Sequence, residues 1–399
     1  MAQTDSLPPT VQSPSPLAWV RENLFNTWYN GILTIICLVV IVQVLSGVIS
    51  WIFGAAQWTV IQTNLRLLFV GRFPPNLYWR LWTTLALIAG VAALSWGNVT
   101  KQNARSWSRS GLIALGVTVA LVVFLPIALT ARLWLLAIII IAVAGYQLGR
   151  QLDANTSRWL PLWWGLSFVV FLWFLKGGLG LESTPTSVWM GLLLTVLTAV
   201  ISIVLSFPIG VLLALGRQSS LPVVRWLSIL YIEVIRGLPL IGILFLAQVM
   251  LPLFLPPQFT QLDRVLRAIA GLILFNAAYM AENLRGGLQA IPRGQTEAGS
   301  ALGLSTPLVV SLIVLPQALR AVIPALVGEF IGLFKDTSLL SLFGLLELTG
   351  IARSILAQPQ FIGRYAEVYL FIGLIYWVFC YGMSVASQRL ERKLNVDQR

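Results

Sequence analysis

The stretch that decides the fold is residues 285–320, RGGLQAIPRGQTEAGSALGLSTPLVVSLIVLPQALR, which lies between two long apolar runs. Pro292 suits the first turn of a helix, and the residues after it continue the helical pattern. Gly303 is suited to a left-handed cap at the end of that helix. Thr306 can serve as the N-cap of a second helix, with Pro307 at its first position. The stretch therefore predicts a short helix, a sharp turn and a second helix that returns into an apolar environment.

The sequence on both sides of this stretch is too apolar for a soluble protein. Of the 399 residues, 58% are hydrophobic and 10% are charged, whereas a soluble domain carries about 25% charged residues. A membrane span takes about 20 mostly apolar residues, and we count ten candidates. They are residues 31–53, 78–96, 112–128, 133–148, 159–175, 188–215, 226–251, 265–283, 319–343 and 366–386. We expect an all-α integral membrane protein with about ten transmembrane helices.

Composition and motifs exclude several classes of function. The chain has no histidine, which excludes histidine-based triads, the common zinc sites and histidine proton relays. Cys37 and Cys380 lie in apolar runs at opposite ends of the chain, and we expect no disulfide. The net charge of +12 is scattered between the apolar runs, so we expect no nucleic-acid partner. Because no G-x-x-x-x-G-K-[ST] motif is present, we expect this chain to hydrolyse no ATP.

The positions of the basic residues predict the topology. Ten spans place both termini on one side of the membrane. A cytoplasmic N-terminus puts 15 lysines and arginines in cytoplasmic segments and 9 in external ones, with two more inside spans. Cytoplasmic segments of membrane proteins are enriched in Lys and Arg. We therefore predict that both termini are cytoplasmic.

Charged residues within the predicted spans are concentrated after residue 187. Glu233 and Arg236 are three residues apart on one helical face and are predicted to form a structural charge pair. Alternatively, each ties its span to a neighbouring one. Ionisable residues at membrane depth usually face a bundle interior or a water path, which places function in the second half of the chain.

A polar break interrupts the ninth span. It consists of Lys335, Asp336, Thr337 and Ser338. Such a break is tolerated only where protein or a watery cavity receives it, and a zwitterionic substrate needs both a donor and an acceptor. The break is therefore a candidate lining of a substrate path, although Lys335 could instead pair with Asp336 or with Glu329. Asn276, Tyr279 and Glu282 in the eighth span are further candidates for the path.

Residues 285–320 resemble the EAA motif of type I ABC importer permeases, in which Glu-Ala-Ala precedes a glycine and an Ile-x-Leu-Pro sequence. The matching residues here are Glu297, Ala298 and Gly299, then Gly303, and then Ile313, Leu315 and Pro316. Gly299 departs from the family pattern by replacing the second alanine. Residues 231–240, 278–292 and 335–339 resemble stretches of polar amino-acid permeases, although Leu238 replaces the commoner threonine. RENLF at 21–25 and NLRLL at 64–68 resemble the extended permeases of general L-amino-acid systems.

The resemblance implies the organisation of the chain. Residues 1–30 would be a cytoplasmic N-terminal tail, and residues 31–180 would hold five accessory transmembrane helices. Residues 187–387 would be the permease domain with its type I importer core, including the coupling loop 285–320, and residues 388–399 a cytoplasmic C-terminal tail. Glu297, Ala298, Gly299 and Gly303 would couple the permease to an ATPase, while Ile313, Leu315 and Pro316 would pack behind them.

The resemblance also implies an assembly in the bacterial inner membrane. A second related permease would pair with this one, with a heterodimer favoured. Two cytoplasmic ABC ATPases would bind ATP and Mg, so this chain would be a non-hydrolytic subunit without a cofactor of its own. A periplasmic binding protein would deliver a polar amino acid, and the permease would form the translocation path.

Two other functions are open alternatives. A stand-alone secondary transporter or channel would be expected to show repeated halves and broken helices at corresponding positions, and no such repeat is visible in the sequence. A purely structural membrane scaffold would not need the charged residues in the later spans.

Overall fold

The computed structural model describes residues 15–101, 109–124, 127–256 and 262–396, which are almost entirely helical. The first helices are α1 (Pro16–Leu24), α2 (Trp28–Ser50), α3 (Thr59–Val70), α4 (Tyr78–Thr100), α5 (Arg109–Phe124), α6 (Leu129–Gln151), α7 (Ala154–Ser157) and α8 (Leu160–Lys176). The later helices are α9 (Gly191–Arg217), α10 (Pro222–Gly237), α11 (Leu240–Phe245), α12 (Leu251–Phe254), α13 (Arg264–Ala290), α14 (Arg293–Ala301), α15 (Thr306–Val309), α16 (Leu315–Asp336), α17 (Leu348–Leu356) and α18 (Tyr365–Val396). The all-α prediction is confirmed.

Eight helices in the described part of the chain are long and apolar enough to cross a membrane, and a bent pair makes a ninth. The predicted third span is the exception, because its apolar helix, residues 111–124, is shorter than a full span. A helix rises about 1.5 Å per residue, so such a helix falls short of a hydrocarbon core about 30 Å thick. The expected set of elements is therefore present, and the described part of one of them is shorter than a span.

The predicted seventh span, residues 226–251, is wrong as a continuous helix. The chain bends by 104° between α10 and the segment Leu240–Phe254. Pro239 has no backbone N–H and an extended conformation (φ −67°, ψ 141°), so the α-helix cannot continue through it. Beyond α11 the helix widens into a π-turn over Leu246–Met250 before α12 begins.

The chain divides into two units, residues 1–62 and 63–399. In the first unit, the Oγ1 of Thr34 in α2 donates a hydrogen bond of 2.9 Å to the carbonyl of Leu24 in α1. Ser15 caps α1 by accepting a hydrogen bond from the N–H of Ala18. The predicted tail 1–30 thus contains a helix, and its residues 1–14 lie outside the described residues.

In the second unit, α13 is packed between α9, α10 and α16. Small residues allow the close approach: a Cβ on Gly210 of α9 would lie 2.7 Å from the Cβ of Met280, and a Cβ on Gly287 would lie 2.5 Å from Val322. A buried apolar cluster joins these helices. It contains Ala214, Ile232, Met280, Ala281, Leu284, Leu288, Ala318, Val322 and Leu326. Helix α18 packs against α16 and continues to Val396, so the predicted tail 388–399 is helical up to that residue, and residues 397–399 lie outside the described part.

Helices α4 and α6 form the closest helix pair in the front part of the second unit. Three glycines lie where the two backbones meet. A Cβ on Gly97, Gly145 or Gly149 would collide with a carbonyl oxygen of the facing helix. This contact resembles the small-residue interfaces by which membrane helices approach each other closely.

Candidate coupling loop and transport core

Helix α14 ends in the turn that the sequence predicts. Gly303 has φ +80°, and its N–H donates to the carbonyl of Ser300 at 3.0 Å. The N–H of Leu304 donates to the carbonyl of Gly299 at 3.2 Å. These two bonds are those of a Schellman motif, whose left-handed position favours glycine. The left-handed cap at Gly303 is therefore confirmed.

The starts of the two loop helices are each displaced by one residue from their predicted positions. Pro292 is the N-cap of α14 rather than part of its first turn, and the helix begins at Arg293. Ser305, not Thr306, occupies the N-cap of α15, so that Pro307 is the second helical residue. Both shifts keep the prolines where a missing N–H costs no helical hydrogen bond.

Gly299 is the residue through which α14 packs against the helix that follows it. It is the only buried residue of α14 among those described. A Cβ at this position would lie 2.9 Å from Cγ2 of Val309 and 3.0 Å from Cδ1 of Ile313. The departure from the family's second alanine thus has a physical reason, because the missing methyl group lets the two helices approach.

Glu297 lies on the exposed surface of α14. It makes no hydrogen bond or ion pair with any residue that the structure describes. Ala298 beside it is also exposed. The carboxylate is therefore free to bind a group outside this chain.

Ile313, Leu315 and Pro316 lie in the returning helix, where a π-turn over Val310–Val314 leads into α16. The carbonyl of Ile313 accepts a hydrogen bond of 2.8 Å from Nε2 of Gln317. The same nitrogen lies 3.5 Å from Oε1 of Gln295 in α14. The returning helix thus supports α14 through apolar and polar contacts.

A cluster of three arginines surrounds Glu282 of α13. Its carboxylate lies 2.5 Å from Nη2 of Arg285, 3.5 Å from Nη1 of Arg236 in α10 and 3.7 Å from Nη1 of Arg217 in α9. Arg217 also pairs with Glu233 of α10 at 2.9 Å. The cluster therefore ties α9 and α10 to α13.

The predicted pairing of Glu233 with Arg236 is wrong. No ion pair joins them within the described residues, since Glu233 binds Arg217 and Arg236 binds Glu282. The alternative, in which these charges tie neighbouring helices together, is what the structure shows. Spacing along one helix could not reveal this, because Arg217 and Arg285 lie outside the predicted spans.

The eighth-span candidates differ in what they contact. Nδ2 of Asn276 donates to the carbonyl of Leu272 at 2.9 Å, so this buried amide is engaged within its own helix. Tyr279 places its ring 5.7 Å from the guanidinium carbon of Arg236. Tyr279 and Glu282 therefore meet at the same arginine, whereas Asn276 makes its bond elsewhere.

The polar break of the ninth span is present. Helix α16 ends at Asp336, and a 3-10 helix follows over Thr337–Phe343. Lys335 is exposed and Asp336 half-buried, and Thr337 donates a hydrogen bond of 2.7 Å to the carbonyl of Phe334. No ion pair joins Lys335 to Asp336 or Glu329 in the described part of the chain. The side chain of Ser338 has no described hydrogen bond, although its carbonyl accepts one from Ser341.

Glu329 has a different partner, also on α13. Its Oε1 accepts a hydrogen bond of 3.3 Å from Nδ2 of Asn283. This bond joins α13 to α16, next to Glu282 on α13. Glu282 therefore connects α13 with α9 and α10, and the bond between Asn283 and Glu329 connects α13 with α16.

Sequence reasoning missed Glu347, the N-cap of α17. Its carboxylate accepts hydrogen bonds from the N–H groups of Thr349 (2.9 Å) and Gly350 (2.8 Å) and from the hydroxyl of Tyr376 (3.2 Å). Thr195 of α9 lies 3.5 Å away. Burial raises the pKa of Glu347 to about 7. A glutamate directly before a helical Leu-Thr-Gly sequence was the signal available for this cap, because acidic side chains are favourable at a helix N-terminus.

Comparison with known proteins identifies relatives over the whole chain. A family model described as "Binding-protein-dependent transport system inner membrane component" matches residues 206–396. The inner membrane amino-acid ABC transporter permease protein YhdY of Escherichia coli (strain K12) is 34% identical over 98% of this chain and 96% of its own length. The glutamate/glutamine/aspartate/asparagine transport system permease protein BztC of Rhodobacter capsulatus is 35% identical over the same shares. The probable glutamine ABC transporter permease protein GlnP of Bacillus subtilis is 37% identical over 51% of this chain and 91% of its own length.

Proposed function

Because this chain belongs to the binding-protein-dependent inner membrane components, as an amino-acid ABC transporter permease, we propose that its helix α14 docks onto a separate ATPase. The proposal rests on one observation, which is that α14 is exposed on the surface of this chain. It is a nine-residue helix exposed everywhere except at Gly299, with the unpaired carboxylate of Glu297 on its surface. A charge-assisted bond from Glu297 to a basic group of the ATPase would add strength and direction to the contact.

The contacts around α14 support a role in transmitting movement. α14 follows α13 after two residues and precedes the helix that becomes α16. α13 is in turn bound to α9 and α10 through Glu282, and to α16 through Asn283. A displacement of α14 therefore acts directly on the central helices of the transport core.

Membership of the family supports an inference about the cargo and the partners. We infer that the cargo is a polar amino acid and that a periplasmic binding protein delivers it. A second related permease and two cytoplasmic ATPases, which hold ATP and Mg, complete the assembly in the inner membrane. The excess of basic residues predicted for the side of residues 285–320 supports cytoplasmic termini and a cytoplasmic α14. The break at Lys335–Ser338 remains our candidate for the path, together with Tyr279 and Glu282.

The experiment is ATP-dependent uptake by the reconstituted complex, with glutamate, glutamine, aspartate and asparagine as the labelled panel. We expect Glu297→Lys to abolish both uptake and coupled ATP hydrolysis, because it reverses the charge at the docking surface. Glu182→Lys is the matched control, since Glu182 is also exposed and lies before α9, in the segment predicted to be external. It should leave both activities unchanged.

Two outcomes would contradict the proposal. Normal uptake and hydrolysis by a correctly inserted Glu297→Lys complex would remove α14 from coupling. Uptake by the wild-type permease without any ATPase would favour a stand-alone secondary transporter instead.

A further inference from the structure

A pocket lies at the end of the transport core opposite α14. Helix α13 has 27 residues, which makes it about 40 Å long, more than the roughly 30 Å of a bilayer core. Its first turn and α14, which follows its last turn, therefore lie on opposite faces of the membrane. The pocket has a volume of about 400 Å³ and is lined by Phe245, Gln248, Val249, Arg264, Leu342 and Phe343. Pockets for small ligands begin at about 300 Å³.

Three polar contacts hold the walls of this pocket together. Nη2 of Arg264 donates to the carbonyl of Phe343 at 2.8 Å, and Nε2 of Gln248 donates to the carbonyl of Arg264 at 2.8 Å. Nη1 of Arg267 donates to the carbonyl of Gln248 at 2.5 Å. The π-turn, the start of α13 and the 3-10 helix Thr337–Phe343 are thereby joined around one cavity.

The pocket carries positive charge without a matching carboxylate. Arg264 and Arg267 form no ion pair within the described residues, and the described hydrogen bonds of both side chains end on backbone carbonyls. The nearest acid in the sequence, Asp263, uses one oxygen to cap α13 and the other to accept a hydrogen bond from Thr186. The neighbouring residues 257–261, PQFTQ, contain no acid. Nε of Arg267 is buried without a hydrogen-bond partner.

The contacts of these arginines favour a binding role. Both lie in the first turn of one helix, and their described hydrogen bonds end on backbone carbonyls rather than on carboxylates. A guanidinium with free N–H groups binds a carboxylate with two parallel hydrogen bonds. The apolar walls, Phe245, Val249 and Leu342, are suited to the uncharged part of a small ligand.

We propose that this pocket is the external receiving site of the permease, where Arg264 binds the α-carboxylate of the amino acid. Arg267 acts as a positioning residue, because it holds the backbone of Gln248 and adds positive potential. The 3-10 helix Thr337–Phe343 connects the pocket to the polar break at Lys335–Ser338, so the captured substrate enters next to the candidate path. This inference rests on the proposed function, which supplies the cargo and the orientation.

The test measures binding of labelled L-glutamine to the solubilised permease–ATPase complex without the binding protein. We expect the wild-type complex to bind it, and unlabelled glutamine but not 4-aminobutanamide, which lacks the α-carboxylate, to displace it. Arg264→Gln should weaken binding about tenfold or more, as expected for loss of a charge-assisted hydrogen bond. Arg353→Gln is the control, because Arg353 is an exposed arginine in the last turn of α17 with no described side-chain partner.

A second variant separates binding from folding. Val249→Trp narrows the cavity without altering Arg264 or its bond to Phe343, and it should also weaken glutamine binding, with the unfolding temperature of the complex as the measure that it is still folded. Wild-type binding that is absent, unaffected by Arg264→Gln, or equally displaced by 4-aminobutanamide would overturn the inference. If Arg264→Gln retains both normal binding and ATP-driven uptake, only this inference fails. ATP-independent uptake by the wild type is the separate failure of the proposed function.

Discussion

The carboxylate of Glu282 is the centre of the charged cluster, and its removal is the sharpest test of how the transport core is held together. Glu282→Gln keeps the shape of the side chain and removes only its charge. The five-residue cluster then changes from a net charge of +1 to +2. Arg217 retains Glu233 at 2.9 Å, but Arg236 and Arg285 lose their only described carboxylate partner.

The expected magnitude follows from the exposure of the groups. Removing one member of a fully buried ion pair costs about 3–5 kcal/mol. Here the side chains of Glu282, Arg236 and Arg285 are 21%, 34% and 29% exposed, so water screens part of the repulsion. We therefore expect the free energy of unfolding to fall by about 2 kcal/mol, between the values for surface and buried pairs.

The assay is thermal unfolding of the solubilised complex, followed by tryptophan fluorescence. Glu182→Gln is the matched control, because it removes an exposed carboxylate with no described side-chain partner and should leave the unfolding temperature unchanged. The double variant Glu282→Gln/Arg236→Gln should be less destabilised than the sum of the two single variants, because the arginine is then no longer left unpaired. An unfolding temperature of Glu282→Gln equal to that of the wild type would refute the argument that this cluster ties α9 and α10 to α13.

Two further predictions concern α14 and Glu347. Gly299→Ala should lower uptake moderately, because the new Cβ would lie 2.9 Å from Cγ2 of the buried, β-branched Val309, and this crowding opposes the gain of about 1 kcal/mol in helix propensity; Gly299→Leu should displace α14 further and reduce both uptake and coupled ATP hydrolysis strongly in the reconstituted complex. Normal uptake and ATP hydrolysis by Gly299→Leu would show that the close contact of α14 with Val309 and Ile313 is not needed for coupling. Burial raises the pKa of Glu347 to about 7, above the value of about 4.3 in an unfolded chain, so its ionisation opposes folding. The unfolding temperature should fall as the pH rises from about 5 to about 7, and Glu347→Gln should remove this dependence; equal pH profiles for both proteins would contradict the assignment.

The elements that sequence predicts well are those controlled by local chemistry. Long apolar runs produced the membrane helices, and Gly303 produced the left-handed turn, because both depend on residues close together in the chain. The bend at Pro239 was readable in principle, since proline is unable to continue a helix. It was missed because apolar residues continue on both sides of it.

The partners of the charged residues depend on tertiary packing, and sequence spacing could not supply them. Glu233 and Arg236 are neighbours on one helix face, yet each bonds to a residue of another helix. The network of Glu347 joins positions more than 150 residues apart at Thr195, so no local pattern contains it. The pocket at Arg264 similarly combines three segments of the chain.

The glycine contact between α4 and α6 has a mechanical consequence. Where backbone rests directly on backbone, no side chains remain to rearrange, and sliding one helix along the other would drive Cα atoms into carbonyl oxygens. Helices α4 and α6 therefore move together as one rigid unit and do not slide along each other. Any movement of helices against each other would then occur elsewhere, at contacts where flexible side chains separate the helices. The contact between α4, α8 and α9 is of this kind, because leucine, valine and phenylalanine side chains line the cavity between them.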